Sequence, residues 1–152
     1  MDKGYTPEDI LTQCQRLDRA GIGYNFFYLT GIAGAGQGER SALASAELFN
    51  RLRPRLIGSS MLTLYPDSRL YQELQGGNWS EAGELEKYEE LRTLVSHLDI
   101  PVAFAALGAS NAYQFQGRLP EDRQALLSTL DQIIRLEEEE RLRSYRTALP
   151  HL

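Results

Sequence analysis

The stretch that decides the fold is Ile22-Gly-Tyr-Asn-Phe-Phe-Tyr-Leu-Thr-Gly-Ile-Ala-Gly-Ala-Gly-Gln-Gly-Glu39. Residues Tyr24 to Leu29 are almost all apolar, which predicts a strand buried on both faces, as in a parallel sheet. Four glycines between Gly31 and Gly38 then allow the backbone to approach another group closely, and a helical pattern follows. A glycine-rich turn between a strand and a helix is typical of a cofactor-binding turn in an α/β protein.

Helix and strand patterns alternate along the rest of the chain. A strong helix start at Thr6-Pro7-Glu8-Asp9 precedes the first strand. Two further strands are predicted at Leu56–Leu64 and Ile100–Leu107, then an irregular stretch from Gly108 to Leu119 and a final helix from Pro120 to about Tyr145. This order predicts parallel strands joined by crossover helices, with the first two strands adjacent.

The crossover helices are predicted from their caps and apolar spacing. One runs from Glu39 to Leu52 with Leu43, Ala46 and Phe49 inward, a short one follows Ser68, and a longer one spans Ser80 to Leu98. The fold class is therefore α/β. Because a closed (β/α)8 barrel needs about 250 residues, the 152 residues form either a small open sheet or a piece of a larger barrel.

Composition bounds the class of protein. The formal net charge is −5 and no basic block occurs, which argues against nucleic acid as the partner. Cys14 is the single cysteine, so no intrachain disulfide can form and a reducing compartment is expected. No apolar run is long enough for a bilayer and the N-terminus lacks a signal-peptide core, so we expect a soluble cytoplasmic protein or part of one.

Side chains that could carry chemistry are few, and no catalytic residue is assigned. Cys14 falls on an apolar helix stripe, His97 lies near a helix end, and His151 adjoins the C-terminus, so no metal site is predicted. The acidic run from Glu137 to Glu140 is expected to be a solvated helix face. Asp67 follows Pro66 and is interpreted as a turn residue.

Several segments resemble one known family in their order and spacing. Leu29-Thr-Gly-Ile-Ala-Gly34 is similar to a Gly-Ile-Pro-Gly type turn after a fifth barrel strand, and Met61-Leu-Thr-Leu-Tyr-Pro-Asp-Ser-Arg-Leu-Tyr71 to a sixth strand and its exit. Lys3-Gly-Tyr-Thr-Pro-Glu-Asp9 resembles the segment after the fourth strand, and Ser110-Asn111 with Gly117–Asp122 a C-terminal extension. These are features of radical S-adenosylmethionine iron–sulfur enzymes.

The resemblance implies a fold and an activity for a longer protein. Residues 1–107 would be the C-terminal half of a partial (β/α)6 TIM-type barrel, and residues 108–152 a loop and C-terminal helical extension. In the family, three cysteines in Cys-x3-Cys-x2-Cys hold a [4Fe–4S] cluster that cleaves S-adenosylmethionine to a 5′-deoxyadenosyl radical. Because this chain has one cysteine, the cluster is expected on a missing N-terminal half, and this chain alone is expected to be inactive.

The resemblance also implies cofactor-binding residues. Carried over by position, Gly31, Ile32 and Gly34 would lie against the adenine and methionine end of S-adenosylmethionine, and Leu62 and Thr63 against the adenine. A turn of glycine and apolar residues offers both apolar contact and backbone donors to a flat base.

Two other interpretations stay open. The chain could be a complete small α/β binding module that uses Gly31–Gly38 for a nucleotide-like or anionic ligand at a helix N-terminus. It could also be a structural half that pairs with a separate N-terminal chain. A half barrel would leave open the edge of the uncharged Ile22–Leu29 strand, so we expect pairing with the missing half or self-association there.

Overall fold

The computed structural model describes residues 4–149, which form six helices and four strands. In chain order these are α1 (Pro7–Arg19), β1 (Asn25–Thr30), α2 (Gly38–Phe49), β2 (Leu56–Met61), α3 (Arg69–Gln75), α4 (Glu84–His97), β3 (Val102–Ala106), β4 (Phe115–Leu119), α5 (Arg123–Leu136) and α6 (Glu139–Thr147). The α/β class predicted from the sequence is confirmed.

The strands form one open sheet in the order β1-β2-β3-β4. The first three strands are parallel, with Phe26 opposite Ile57 and Ile57 opposite Phe104. β4 runs antiparallel to β3, with Phe104 opposite Gly117. The predicted parallel arrangement, with the first two strands adjacent, is therefore confirmed.

The core lies on one face of the sheet, beneath a single layer of helices. Crossovers between parallel strands are right-handed, and the strand order never reverses, so successive crossover helices fall on the same face. The strand residues that meet the helices alternate along each strand, and α2, α4 and α5 supply the other side of one continuous core. Its central members include Tyr28, Ile57, Phe104, Ala46, Leu91, Leu94 and Leu130.

The opposite face of the sheet is uncovered, and the expectation that the first strand is buried on both faces is wrong. Phe27, in the middle of β1, is 83% exposed. Its row across the sheet continues through Gly58, Ala105 and Gln116. The error has a physical origin: an apolar run shows that both faces of a strand suit an apolar environment, but it does not show that both are covered within this chain.

The stretch from Gly108 to Leu119, predicted to be irregular, contains β4. Its side chains alternate in burial, with Leu119 in the core and Gln116 exposed. Five residues with a central glycine give a weak strand signal alone, and pairing with β3 creates the strand. The segment after residue 107 therefore joins the main sheet.

Several helix boundaries differ from the predicted ones. The helix predicted from Ser80 begins at Glu84, and the one predicted from Glu39 buries Ala42 while Leu43 is exposed. The predicted final helix is two helices, because Glu137 and Glu138 adopt extended backbone angles. The helix start at Thr6 is confirmed, with reciprocal hydrogen bonds between Thr6 and Asp9.

The one-sided core predicts unequal costs for two phenylalanine truncations. Phe104→Ala, at a fully buried position, should lower the free energy of unfolding by about 3–5 kcal/mol, through lost burial and a residual cavity. Phe27→Ala removes an exposed ring and should cost less than about 1 kcal/mol. Urea denaturation of both variants measures the difference, and equal losses would contradict the one-sided core.

Candidate functional site

The residues implicated by resemblance meet at the carboxyl ends of β1 and β2. Thr30 pairs with Met61, and the Leu62 N–H donates to the Thr30 carbonyl at 2.9 Å. Gly31 and Leu62, which follow these residues, are therefore neighbours. Ile32 and Gly34 lie in the turn after β1, and Thr63 follows Leu62. Ligands of parallel sheets bind at this edge.

The glycines of the turn are needed for its conformation and for contact with the rest of the chain. Gly31 and Gly34 have φ of +86° and +90°, where side chains are strained. A Cβ on Gly31 would lie 2.8 Å from Cε of Lys87, and one on Gly34 would lie 2.6 Å from Nε1 of Trp79. The close approach that these glycines permit is to the protein's own side chains.

Carboxylates of α4 accept hydrogen bonds from the backbone donors of the turn. The Gly31 N–H donates to Oε2 of Glu90 at 2.8 Å, and the Gly36 N–H donates to Oε1 of Glu86 at 2.5 Å. The cleft beside the turn, about 360 Å³, is lined by Glu39 and Glu89 as well as these two. Negative charge thus already occupies the place where an anionic ligand would bind.

Glu90 is a buried acid at the base of the turn. It is 1% exposed, and its Oε1 accepts from the Tyr28 hydroxyl at 2.5 Å. Burial raises the pKa of Glu90, and the hydrogen bonds from Tyr28 and Gly31 oppose that rise without cancelling it. Burial and the neighbouring Glu90 also raise the pKa of Tyr28. The pair ties the middle of β1 to the turn that follows it.

The exit of β2 is covered by α6. The Leu62 side chain is buried, at 5% exposure, and the Leu62 carbonyl accepts from the Arg146 guanidinium. Thr63 is partly exposed and lines a cleft of about 350 Å³ with Tyr65, Arg146 and Thr147. Thr63 is therefore accessible to a ligand. The Leu62 side chain is not accessible, and the Leu62 carbonyl holds the segment in position through its hydrogen bond from Arg146.

A charge-balanced cluster lies behind the two segments. Lys87, fully buried, places Nζ at 2.9 Å from Glu81 and 3.2 Å from Glu84. Arg146 contacts the same two carboxylates at 2.6 and 2.7 Å. Burial alone would raise the pKa of Glu81, but the bonds from Lys87 and Arg146 outweigh it and hold that pKa below its usual value. The charges of the two cations and the two anions cancel, because a buried charge is stable only when it is paired.

Asn111 completes the hydrogen bonding of β2 beyond its pairing with β3. That pairing ends at Gly58, so later backbone groups of β2 lack a strand partner on this side. The Asn111 side chain accepts from the Met61 N–H at 3.0 Å and donates to the Ser59 carbonyl at 2.9 Å. Asn111 is buried and acts as a substitute for a strand backbone.

The charged members of this site were missed because α4 was interpreted through its apolar stripe alone. Glu84, Lys87 and Glu90 are buried in the same helix as Tyr88 and Leu91. Glu84, Lys87 and Leu91 follow one another at intervals of three and four residues, the spacing of a buried helix face. Charges at the core positions of a helix were the available signal. Their partner Arg146 could not be identified, because it lies 62 residues from Glu84.

The remaining candidates have structural surroundings. Burial, and secondly the Asp18 charge, raise the pKa of the Cys14 thiol, which disfavours the reactive thiolate.

The acidic run from Glu137 to Glu140 is not a simple solvated face. Glu137 accepts from the Tyr113 hydroxyl, and Glu139 accepts from the Glu84 and Leu85 N–H groups. His97 is exposed at the end of α4, and Asp67 is exposed in the turn before α3.

His151 lies outside the described residues. Within residues 4–149, no group of three or more His, Cys, Asp or Glu side chains is arranged to hold a metal ion. Among the same residues, no helix is both long and apolar enough to cross a membrane.

In comparisons with known proteins, no family model, curated protein or solved structure matches this chain.

Substitution of two glycines in the turn separates backbone strain from steric contact. Both have positive φ, but a Cβ on Gly36 meets no described atom within 4 Å, whereas one on Gly31 meets Lys87. Gly36→Ala should cost about 1–2 kcal/mol of unfolding free energy through strain alone. Gly31→Ala should cost about 1–3 kcal/mol more, because a buried side chain must move. Thermal or urea unfolding measures both, and equal costs would show that Lys87 does not pack on the turn.

The raised pKa of Glu90 predicts a pH-dependent contribution to stability. A raised folded-state pKa means that the native state holds the proton more tightly than the unfolded chain. Its stabilising contribution is complete below the unfolded-state pKa of about 4.3, and is lost as pH rises through the folded-state value. The wild type should therefore lose stability relative to Glu90→Gln as pH rises, by at most about 1.4 kcal/mol per pH unit.

Urea unfolding of the wild type and Glu90→Gln between roughly pH 5 and pH 8, the range above the unfolded-state pKa, gives this difference. Effects of the other carboxylates are largely shared by the two proteins and subtract out. A stability difference that stays constant with pH would contradict the raised pKa.

Proposed function

We propose that this chain is the C-terminal half of the barrel of a radical S-adenosylmethionine iron–sulfur enzyme. The complete enzyme would use a [4Fe–4S] cluster to cleave S-adenosylmethionine reductively to a 5′-deoxyadenosyl radical, and this chain would be inactive alone. The observation that carries the proposal is a sheet whose first three strands are parallel, with α2, α4 and α5 packed on one face and the other face open.

The open face supports the proposal, because it would suit the interior of a barrel. In doubly wound α/β folds helices cover both faces of the sheet, whereas in a barrel they all lie outside and the inner face fills the centre. Three parallel strands in sequential order, with their crossover helices on one face, are what the second arrangement would require of this part of a barrel. The open face presents mainly small or apolar residues, among them Phe27, Leu29, Leu56, Ala103 and Ala105.

The open edge of β1 supports the same proposal. β1 ends the sheet, so no described strand pairs with its outer side. Next to it in the chain, α1 has no buried residue, and its apolar residues Ile10, Cys14 and Leu17 are only partly covered. A further strand preceding α1 would pair with β1 and cover these side chains. Without that partner, the same edge is a route to self-association.

The residues at the carboxyl edge support the proposal, because they would suit one side of an adenosine. Ile32, Ala33 and Thr63 are partly exposed beside the glycine turn and offer small and apolar surfaces to a flat base. Gly31, Gly34 and Leu62 would hold these contacts in place from behind. The cofactor, with its reduced cluster, would supply the radical chemistry. The cluster thiolates would come from the missing half, because Cys14 is the single cysteine of this chain.

The geometry disfavours the alternative of a complete module that binds an anion at Gly31–Gly38. Two of the turn's N–H groups already bind carboxylates of α4, and the adjacent cleft is lined by four glutamates. An anionic group placed there would face this negative charge and would have to displace Glu86 or Glu90. A neutral adenosine on the outer side of the turn would not.

The upstream coding sequence tests the proposal. An open reading frame carrying Cys-x3-Cys-x2-Cys is expected about 100 residues before Met1, at ~30 residues per strand–helix unit. The protein expressed with that segment, reconstituted with iron and sulfide and reduced with dithionite, should release 5′-deoxyadenosine from S-adenosylmethionine. Mass spectrometry of the reaction mixture measures the product.

Two variants serve as controls for this experiment. Cys14→Ser should keep the cluster absorption and the product, because Cys14 is not a cluster ligand in the proposal. Serine in place of the first cysteine of the upstream motif should abolish both. The proposal fails if the upstream sequence lacks the three cysteines, or if the reconstituted protein forms no 5′-deoxyadenosine.

A further inference from the structure

We propose that Arg146, on the last helix of the fold, is a positioning residue that fixes the Leu62–Thr63 segment at the carboxyl edge of the sheet. The inference rests on the proposed function in so far as this segment forms part of the cofactor surface. Arg146 lies 84 residues after Leu62, and its guanidinium donates to the Leu62 carbonyl. Its side chain is 12% exposed, so the contact is shielded from water.

The guanidinium binds three groups with three different nitrogens. Nη1 donates to the Leu62 carbonyl, Nε donates to Glu84 at 2.8 Å, and Nη2 donates to Glu81 at 2.6 Å. A planar fork holds these directions rigidly, whereas a lysine ammonium is a flexible point charge. Arg146 thereby links the exit of β2 to the carboxylates at and just before the start of α4.

The same carboxylates connect this contact to the glycine turn. Lys87 binds both Glu81 and Glu84, and its aliphatic stem packs where a Cβ of Gly31 would lie. Leu62 in turn donates its N–H to the Thr30 carbonyl, next to Gly31. The two segments that would meet the cofactor are thus held by one buried group of charges.

α6 is docked so that Arg146 reaches its partners. Leu142 is buried at 2% exposure, and Glu139 accepts from the N–H groups of Glu84 and Leu85 at 2.7 and 3.0 Å. The break after α5 allows α6 to run across the start of α4 in this way. Arg143, on the same helix, pairs only with Glu139 among the described residues and is half exposed. It offers a matched control.

Native-state hydrogen exchange of the Leu62 amide tests the positioning role in this chain. Arg146→Lys keeps the charge balance but cannot reproduce the fork. It should speed exchange of the Leu62 amide, relative to the Ile57 amide in mid-strand, by about tenfold, the factor expected from one hydrogen bond of ordinary net strength. Arg143→Gln should leave this ratio unchanged. Arg146→Gln, if it folds, should behave like Arg146→Lys.

A second measurement asks whether the position matters for the cofactor. In the protein expressed with its upstream segment, Arg146→Lys should weaken S-adenosylmethionine binding by about tenfold, again the equivalent of one hydrogen bond, with unchanged cluster absorption. Arg143→Gln should bind as the wild type does. Equilibrium dialysis measures the affinity without relying on turnover.

The outcomes separate this inference from the proposed function. An unchanged exchange ratio in Arg146→Lys overturns the positioning role, whatever the protein binds. If exchange is faster but S-adenosylmethionine binds neither to the wild type nor to any variant, the proposed function is rejected, while the positioning of Leu62 stands. Faster exchange with unchanged cofactor affinity in Arg146→Lys overturns the link between this position and the cofactor.

Discussion

The handedness of crossover connections is the constraint from which the rest of this structure follows. Parallel strands joined through right-handed crossovers in unbroken order place every crossover helix on one side. α2 and α4 therefore share one layer, α5 joins it, and the core forms between this layer and alternate residues of the sheet. The other face is not covered by a helix layer of the described chain, and Phe27, on the edge strand β1, is 83% exposed there. A one-sided sheet with an open edge strand is incomplete as a hydrophobic structure, which is the physical basis of the proposed barrel.

At the carboxyl edge, α4 supplies electrostatic order as well as apolar packing. Its buried Lys87 and Glu84 form a neutral group with Glu81 and Arg146, while Glu90 and Glu86 bind the N–H groups of the glycine turn. Each of these charges has a partner, as low-dielectric surroundings require. Two N–H groups of the turn, those of Gly31 and Gly36, are consequently occupied by carboxylates. Such a turn suits apolar contact with a flat ring better than recognition of a phosphate.

The two ends of the chain differ in how they are attached. α1 begins with a complete capping box but has no fully buried residue, and its apolar side chains are only partly covered. α6 instead is fixed by contacts over long sequence separations, through Glu139 to α4 and Arg146 to β2. The C-terminal helix therefore belongs to the edge where the candidate site lies, although it comes last in the chain.

What the sequence by itself determined was local or periodic. Thr6 and Asp9 specified a helix start because their hydrogen bonds span three residues, and alternating patterns specified three parallel strands and the turn after the first. Only the tertiary structure decided the exposure of Phe27, the strand nature of Phe115–Leu119 and the break at Glu137–Glu138. Each depends on how segments distant in sequence come together: all helices of the core pack on the other face of the sheet from Phe27, Phe115–Leu119 pairs with β3, and α6 docks on α4. The buried charges of α4 lie between these cases, because their spacing was visible while their partner was not. Helical periodicity is encoded within one segment, whereas neutralisation of a buried charge requires two segments to meet.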